Sequence, residues 1–179
     1  MPSVLVAGSG GQGILFIGKL LAQAAMQEGK NVTWFPSYGA EMRGGTANCT
    51  VVISEETIGS PVVRNPDILI VLNTPSLERF QERLKPGGTL VLDTSLVKGN
   101  IRDDIRVIGV PATEVAVSLG SPRAANMVVL GAVIGGTGIV SESQTIDALR
   151  ELTPAKRQKS LNPNIKAIKE GIILGDKKS

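Results

Sequence analysis

The chain has 179 residues, of which 42% are hydrophobic and 20% are charged, and its formal net charge is +3. These values are typical of one globular domain with a sizeable core, and they exclude a disordered chain. The sequence has no histidine and a single cysteine, Cys49, which excludes a serine triad, an intrachain disulfide and an iron–sulfur cluster held by this chain alone.

The sequence does not predict a signal peptide or a membrane-spanning segment. The residues Met1-Pro2-Ser3-Val4-Leu5-Val6-Ala7 lack the basic start and long apolar run of a signal peptide. No apolar stretch approaches the roughly 18 residues of a membrane-spanning helix. Aromatic residues make up only 3% of the chain, too few for a surface that stacks single-stranded nucleic acid. We therefore expect a cytoplasmic protein that binds neither membrane nor nucleic acid.

Apolar runs alternate with helical patterns along the chain. The apolar runs predict strands over residues 4–7, 32–35, 49–54, 67–72, 89–92 and 105–110. Apolar residues spaced three and four apart predict helices over residues 14–28, 76–84, 113–119, 124–137, 141–152 and 164–174. This alternation indicates an α/β fold, a Rossmann-like three-layer sandwich with a mostly parallel sheet. We find no linker or repeat, so residues 1–179 are predicted to form a single domain.

The predicted helix 124–137 is apolar nearly all round. Its large apolar residues are Met127, Val128, Val129, Leu130, Val133 and Ile134. A helix of this kind is buried against a sheet or against a partner chain. We therefore expect it to be a core helix that also supplies a contact surface for a partner.

A glycine-rich turn follows the first predicted strand, with the sequence Gly8-Ser9-Gly10-Gly11-Gln12-Gly13. Gly8, Gly10 and Gly13 match G-x-G-x-x-G between a strand and a helix, where free backbone amides can hold an anion. A dinucleotide site also needs an acidic residue at the end of the second strand. That position reads Trp34-Phe35-Pro36-Ser37. A dinucleotide, another anion and a purely structural turn therefore all stay open.

A second unusual segment follows the second predicted strand, Ser37-Tyr38-Gly39-Ala40-Glu41-Met42-Arg43-Gly44-Gly45-Thr46. In a Rossmann-like sheet it emerges at the same edge as the glycine-rich turn, where ligands bind. The guanidinium of Arg43 is suited to a carboxylate or a phosphate. The segment is therefore a second candidate for a ligand or partner site.

These two segments together resemble the gamma subunit of 2-oxoacid:ferredoxin oxidoreductases of the 2-oxoglutarate and 2-oxoisovalerate type, in the pyruvate/ketoisovalerate oxidoreductase catalytic domain family. Further matches are Ile58-Gly59-Ser60-Pro61, Pro66-Asp67 and Asn126 ahead of Gly131-Ala132. The resemblance implies a multisubunit enzyme that oxidatively decarboxylates a 2-oxoacid, with 2-oxoglutarate favoured, to an acyl-CoA and reduces ferredoxin. It also implies alpha, beta and in some complexes delta subunits, which carry thiamine diphosphate, Mg²⁺ and the iron–sulfur clusters.

The resemblance further implies where this chain acts. The set at the subunit interface, near the thiamine or coenzyme A site, comprises Gly8, Gly10, Gly11, Gln12, Gly13, Tyr38, Glu41, Arg43, Gly44 and Gly45. An equally open interpretation is that the two segments only hold the catalytic subunits in register. We assign no catalytic residue and no metal ligand to the chain, and we expect it to hold no cofactor and to be inactive alone. A stand-alone dinucleotide-binding module and a ligand-free scaffold are the alternatives.

Basic residues are concentrated late in the chain, at Lys156, Arg157, Lys159, Lys166, Lys169, Lys177 and Lys178. The simpler interpretation is a solvated helix face with a frayed tail. The alternative is a surface that faces an anion or a partner. Cys49 is interpreted as a small core residue, and Asp67 and Asp93 as caps or turn formers.

Overall fold

The computed structural model describes residues 1–37 and 46–178. Within these residues lie six strands: β1 (Ser3–Gly8), β2 (Asn31–Ser37), β3 (Ala47–Ser54), β4 (Ile68–Val71), β5 (Thr89–Asp93) and β6 (Arg106–Val110). Six α-helices accompany them: α1 (Ile14–Gln27), α2 (Thr74–Phe80), α3 (Ala112–Ser118), α4 (Ala125–Thr137), α5 (Glu142–Leu152) and α6 (Leu161–Asp176). Every predicted element is present, with ends shifted by a few residues.

The strands form one sheet in the order β2-β3-β1-β4-β5-β6. β1, β4, β5 and β6 are mutually parallel, whereas β3 runs antiparallel to both of its neighbours, β1 and β2. The predicted α/β fold with a mostly parallel sheet is confirmed. Because β1 and β2 point the same way, Gly8 and Ser37 end at the same edge of the sheet, next to Ala47 and Asn48 respectively.

The pleat of each strand divides its side chains between two cores. Val4 and Val6 of β1 face a large core that contains residues of α1, α3, α4, α5 and α6. Leu5 and Ala7 face a smaller core, closed by α2 and the segments around it. The helices therefore lie on both faces of the sheet, and the face that carries α1 and α4 is the thicker one.

Helix α4 is sandwiched between the sheet and α6. Where the two helices cross, a β-carbon on Gly131 would overlap the carbonyl oxygen of Ile168, and one on Gly171 would overlap that of Val128. Glycines let the two backbones approach this closely. The apolar surface of α4 is thus used inside the chain, and the prediction that it is a core helix is confirmed. That the helix helps to supply a partner contact surface stays a prediction.

Two prolines lie inside elements whose bounds differ from the predicted ones. Pro36 lies within β2, which the sequence predicts to end at residue 35, and it is tolerated because β2 is an edge strand. Pro163 lies in the first turn of α6, where its missing N–H costs nothing. The helix therefore begins at Leu161, three residues before the predicted start.

Candidate functional site

The glycine-rich turn joins β1 to α1 at the carboxyl edge of the sheet. Gly13 is the residue that caps the start of α1, and its φ of 75° is one that side-chain-bearing residues rarely adopt. A β-carbon on Gly13 would also overlap the side-chain nitrogen of Asn126. Glycine at position 13 is thus required both by backbone conformation and by contact with the start of α4.

Gly8 and Gly10 have different surroundings. A β-carbon on Gly8 would lie 2.6 Å from Cδ1 of Ile14 and 2.7 Å from Oε1 of Gln12, which is closer than packing allows. A β-carbon on Gly10 would have no heavy atom within 4 Å apart from those of its chain neighbours. The first glycine of the motif is therefore needed for packing within the turn, whereas the second is open towards the outside.

Gln12 braces the turn through both ends of its side-chain amide. Its Oε1 accepts a hydrogen bond of 2.7 Å from the backbone N–H of Ser9. Its Nε2 donates one of 2.8 Å to the carbonyl oxygen of Leu72, directly after β4. Gln12 thereby ties the turn to the neighbouring parallel strand, a positioning role that the sequence motif alone does not show.

The start of α1 carries partial positive charge and, among the described residues, has no side-chain cap. Its first turn also contains no acidic residue. The first amides of a helix have no partner within the helix, and the macrodipole adds partial positive charge there. In this part of the described chain an anion is the natural complement.

Two grooves flank Asn126 at this edge of the sheet. The first, of about 590 Å³, lies where the chain leaves β1 and β4 for opposite faces of the sheet, and we call it the switch-point groove. It is bordered by Gly11, Gln12, Asp93 and Thr113 among others. The second, of about 660 Å³, extends from Gly13 across the outer side of α1, and we call it the basic groove.

Asp93 is fully buried beside the switch-point groove and is engaged in local structure. Its carboxylate accepts hydrogen bonds of 2.6 Å from the hydroxyl of Thr113 and 3.0 Å from the backbone N–H of Ser95. These bonds stabilise the turn after β5 and the start of α3. The predicted turn-forming role of Asp93 is confirmed.

Asp67 lies at the opposite, amino-terminal edge. Burial raises the pKa of this carboxyl, but hydrogen bonds from Lys85 and Ser3 outweigh that effect and bring the pKa below its ordinary value. Lys85 approaches to 2.6 Å, and the backbone N–H and hydroxyl of Ser3 each donate a bond of 2.8 Å. Asp67 therefore joins the starts of β1 and β4 and has a structural role.

Cys49 is fully buried in the large core between β3 and α1. Burial raises the pKa of its thiol to about 12, although contacts with Trp34 and Gly18 act in the other direction. A buried thiol with a raised pKa is a poor nucleophile, which fits a residue that packs in the core. Its predicted role as a core residue is confirmed.

The second predicted segment falls mainly outside the described residues, and this includes Tyr38, Glu41, Arg43, Gly44 and Gly45. Its described ends, Ser37 and Thr46, lie at the carboxyl edge of the sheet. Thr46 is held there by a hydrogen bond of 3.3 Å from Arg79 to its hydroxyl. The expectation that this segment emerges at the same edge as the glycine-rich turn is thus confirmed.

Two negative findings apply to residues 1–37 and 46–178. They contain no group of three or more His, Cys, Asp or Glu side chains that could hold a metal ion. None of their helices is long and apolar enough to cross a bilayer. The described residues at this edge offer an anion the backbone amides at the start of α1 and the side-chain amides of Gln12 and Asn126.

The sequence that forms this fold and site matches a known protein family. The model of the pyruvate ferredoxin/flavodoxin oxidoreductase family matches residues 3–173, which is nearly the whole chain. The chain belongs to this family. The match includes the glycine-rich turn, the second segment and both grooves, so all candidate site residues lie within the family domain.

Relatives divide into chains of similar length and longer chains. A solved gamma subunit of a keto/oxoacid ferredoxin oxidoreductase from Geobacter sulfurreducens is 28% identical, with a TM-score of 0.86 and 98% coverage of both chains. A 2-oxoglutarate:ferredoxin oxidoreductase from Magnetococcus marinus, solved with 2-oxoglutarate, coenzyme A and succinyl-CoA, is 27% identical, with a TM-score of 0.88 over 98% of this chain and 31% of that one.

A curated relative is likewise longer than this chain. Ketoisovalerate oxidoreductase subunit VorA of Methanothermobacter marburgensis is 44% identical over 170 residues, or 94% of this chain. The match covers 35% of VorA, so the chain spans about a third of that relative's length. The same domain is thus found both as most of a short gamma subunit and as part of a longer chain.

Proposed function

We propose that this chain is the gamma subunit of a 2-oxoacid:ferredoxin oxidoreductase. The reaction is oxidative decarboxylation of a 2-oxoacid to an acyl-CoA, with ferredoxin as electron acceptor. The observation that carries the proposal is the match over nearly the full length of both chains to the Geobacter gamma subunit. The family match over residues 3–173 supports it independently.

The chemistry of the described residues supports a division of labour between subunits. A chain with one buried cysteine and no cluster of metal-binding side chains in its described part does not fit an iron–sulfur cluster or a thiamine-bound Mg²⁺. We propose that alpha, beta and in some complexes delta subunits hold these groups. This chain then contributes positioning and binding, and it is inactive alone.

The residues do fit a phosphorylated ligand such as coenzyme A, whose thiol accepts the acyl group in this reaction. The uncapped start of α1 and the open backbone near Gly10 offer amides to an anion. Arg43 belongs to a segment whose ends flank the same edge. We therefore propose that the edge formed by the two segments faces coenzyme A at the interface with the catalytic subunits.

We propose 2-oxoglutarate as the substrate, although the segment Glu41-Met42-Arg43-Gly44-Gly45-Thr46 resembles gamma subunits of both the 2-oxoglutarate and the 2-oxoisovalerate type. A second candidate is 2-oxoisovalerate, which the 44% identity to a ketoisovalerate oxidoreductase subunit favours. A panel of 2-oxoacids offered to the assembled complex distinguishes them, because only the true substrate gives a low KM.

Topology disfavours the alternative of a stand-alone dinucleotide-binding module. In a dinucleotide site the carboxylate that binds the ribose lies at the end of the strand next to β1. Here β3 separates β1 from β2, which places the end of β2 two strand spacings, about 10 Å, from the glycine-rich turn. The end of β2 also reads Phe35-Pro36-Ser37 and offers no carboxylate.

Replacing Arg43 with alanine in the assembled complex tests the coenzyme A role. We expect the KM for coenzyme A to rise about tenfold, because one charge-assisted contact to a phosphate is lost. The KM for the 2-oxoacid should stay unchanged, which serves as the internal control. An unchanged KM for coenzyme A would remove Arg43 from the binding site and leave the two segments a role in subunit registration.

A further inference from the structure

The outer side of β2 is an open sheet edge. Within residues 1–37 and 46–178, β2 pairs with β3 on one side and with no strand on the other. Its sequence, Asn-Val-Thr-Trp-Phe-Pro-Ser, contains no charged residue and is rich in the β-branched and aromatic types that favour strands. Soluble proteins usually protect such an edge with charged residues or by keeping the strand short. A long uncharged edge is therefore typical of a strand that pairs with another chain.

The opposite edge of the sheet shows the usual protection. β6 has five residues, begins with the charged Arg106 and is followed directly by Pro111. The guanidinium of Arg106 also donates a hydrogen bond to the carbonyl oxygen of Lys178, just after α6. The two edges thus differ, and the difference identifies β2 as the edge that is left open.

The register of the sheet determines which backbone groups of β2 are free. The N–H of Ile53 in β3 donates a bond of 3.0 Å to Pro2, ahead of β1, so the backbone groups of Ile53 point towards β1. Groups of alternate residues in β3 therefore point towards β2, where they meet Thr33, Phe35 and Ser37.

The residues between these three point outwards from the sheet. The free groups are the N–H and carbonyl of Val32, the N–H and carbonyl of Trp34, and the carbonyl of Pro36. Pro36 fits this assignment, because proline has no N–H to give to β3. The outer edge thus offers two donors and three acceptors in a fixed pattern.

This pattern is complementary to a second β2 that runs antiparallel to the first. With a two-fold axis at Trp34, the N–H of each Trp34 donates to the carbonyl of the other. The N–H of Val32 donates to the carbonyl of Pro36 in the second copy, and the same bond forms in return. Every outward N–H is then paired, and Pro36 only has to accept. The carbonyl of Val32 stays free at the end of the ladder, where water reaches it.

The same register covers an exposed aromatic side chain. Phe35 is 53% exposed, on the face of the sheet opposite to that of Trp34. With the axis at Trp34 it lies opposite Thr33 of the second copy, in a pair without hydrogen bonds, where side chains approach most closely. With the axis at Thr33, Pro36 would face Lys30, whose N–H is already used within the chain. Both observations favour the axis at Trp34.

We propose that β2 pairs with β2 of a second copy of this chain and joins two six-stranded sheets into one continuous sheet. Such a two-fold dimer needs only one self-complementary surface. Because the paired strands run antiparallel, the carboxyl edges of the two sheets point in opposite directions and stay free for other subunits. The proposal concerns self-association and goes beyond the proposed function, so it stands or falls independently of enzyme activity.

Sedimentation of the full chain over a range of concentrations tests the proposal. We expect a monomer–dimer equilibrium with a Kd of about 1–100 µM, since a strand edge buries a small area. Trp34 is the single tryptophan and lies at the proposed axis, so its fluorescence should change over the same concentration range. A chain that stays monomeric up to about 500 µM would overturn the proposal.

Variants of matched chemistry locate the contact. Phe35→Lys replaces the exposed aromatic ring with a charge and should weaken dimerisation about tenfold or more. Val117→Lys is the control, because Val117 is 56% exposed on α3, and it should change the Kd less than about twofold. Val32→Pro removes an outward N–H without removing a bond to β3, and it should also weaken the dimer. Equal effects of Phe35→Lys and Val117→Lys, or a dimer unaffected by Val32→Pro, would overturn the proposal.

Disulfide trapping tests the register. The native Cys49 is buried, so cysteines introduced on β2 react without competition from it. A chain with Thr33→Cys mixed with a chain with Phe35→Cys should form a cross-linked dimer under mild oxidation, because these positions face each other in the proposed register. Neither variant should cross-link alone. A disulfide formed by Thr33→Cys alone would overturn the register, and no disulfide in any sample would overturn the pairing of the strands.

Discussion

At the residue scale, two structural constraints act on Gly13 of the glycine-rich turn. Its left-handed backbone and its contact with Asn126 each exclude a side chain. The sequence motif identifies this glycine correctly as a requirement for close approach. It does not identify what approaches, because Asn126 is more than 100 positions away along the chain.

The substitution Gly13→Ala tests this constraint. We expect the free energy of unfolding to fall by about 1–3 kcal/mol, since alanine is strained at positive φ and its β-carbon displaces Asn126. Urea denaturation measures the change. Gly10→Ala is the matched control in the same turn, because Gly10 has open surroundings, and it should alter stability by less than about 0.5 kcal/mol. Equal effects of the two substitutions would contradict the assigned role of Gly13.

Gln12 and the cations of the basic groove show where sequence reasoning stops at this scale. Gln12 lies inside the recognised motif, but its bond to Leu72 depends on the pairing of β1 with β4. The basic groove unites Lys19, Arg123 and Arg157, which no local pattern connects. Cys49 was predictable because its apolar strand neighbours already place it in a core.

At the element scale, the close crossing of α4 and α6 determines how these helices pack on the thicker face of the sheet. Glycines at positions 131, 135, 171 and 175 face the backbone of the opposite helix. Glycine in a helix interior normally costs up to about 1 kcal/mol relative to alanine. Close packing of α6 on α4 explains why these helices nevertheless contain it.

Helix propensity alone predicts that Gly131→Ala stabilises the folded protein. The close packing of α4 on α6 predicts the opposite. We expect a loss of about 2–4 kcal/mol in the free energy of unfolding, because the added methyl group must push α6 away from α4. Thermal or urea unfolding measures it. Gly59→Ala, at a loop position with nothing within 4 Å of the new β-carbon, is the control. A stabilised Gly131→Ala variant would show that the two helices do not pack as closely as described.

The order and type of the elements followed from hydrophobic periodicity, whereas the place of β3 did not. The sequence predicts an ordinary apolar strand over residues 49–54, and periodicity carries no information about strand direction. Nine residues separate the end of β2 from the start of β3, whereas the short hairpin loops that indicate an antiparallel pair in a sequence have about two to five. The prolines at 36 and 163 also shifted element ends, because their effect depends on edge position and helix register.

At the scale of the whole molecule, the candidate binding features lie at one edge of the sheet. The glycine-rich turn, the ends of the second segment, the switch-point groove and the basic groove all lie at or beside the carboxyl ends of the strands. The opposite edge carries the structural contact of Asp67 with Lys85. We therefore expect partner subunits and phosphorylated ligands to meet the chain at this one edge.

The central proposal is that this chain acts as a gamma subunit of a 2-oxoacid:ferredoxin oxidoreductase and that the complex requires it for activity. The direct test is reconstitution of the enzyme from its separately produced subunits, with and without this chain, followed by viologen reduction that depends on both 2-oxoacid and coenzyme A. We predict no activity from this chain alone, full activity from the complete set, and a loss of at least about tenfold when this chain is omitted. Full activity without this chain, or failure of this chain to copurify with a thiamine-containing partner, would contradict the account.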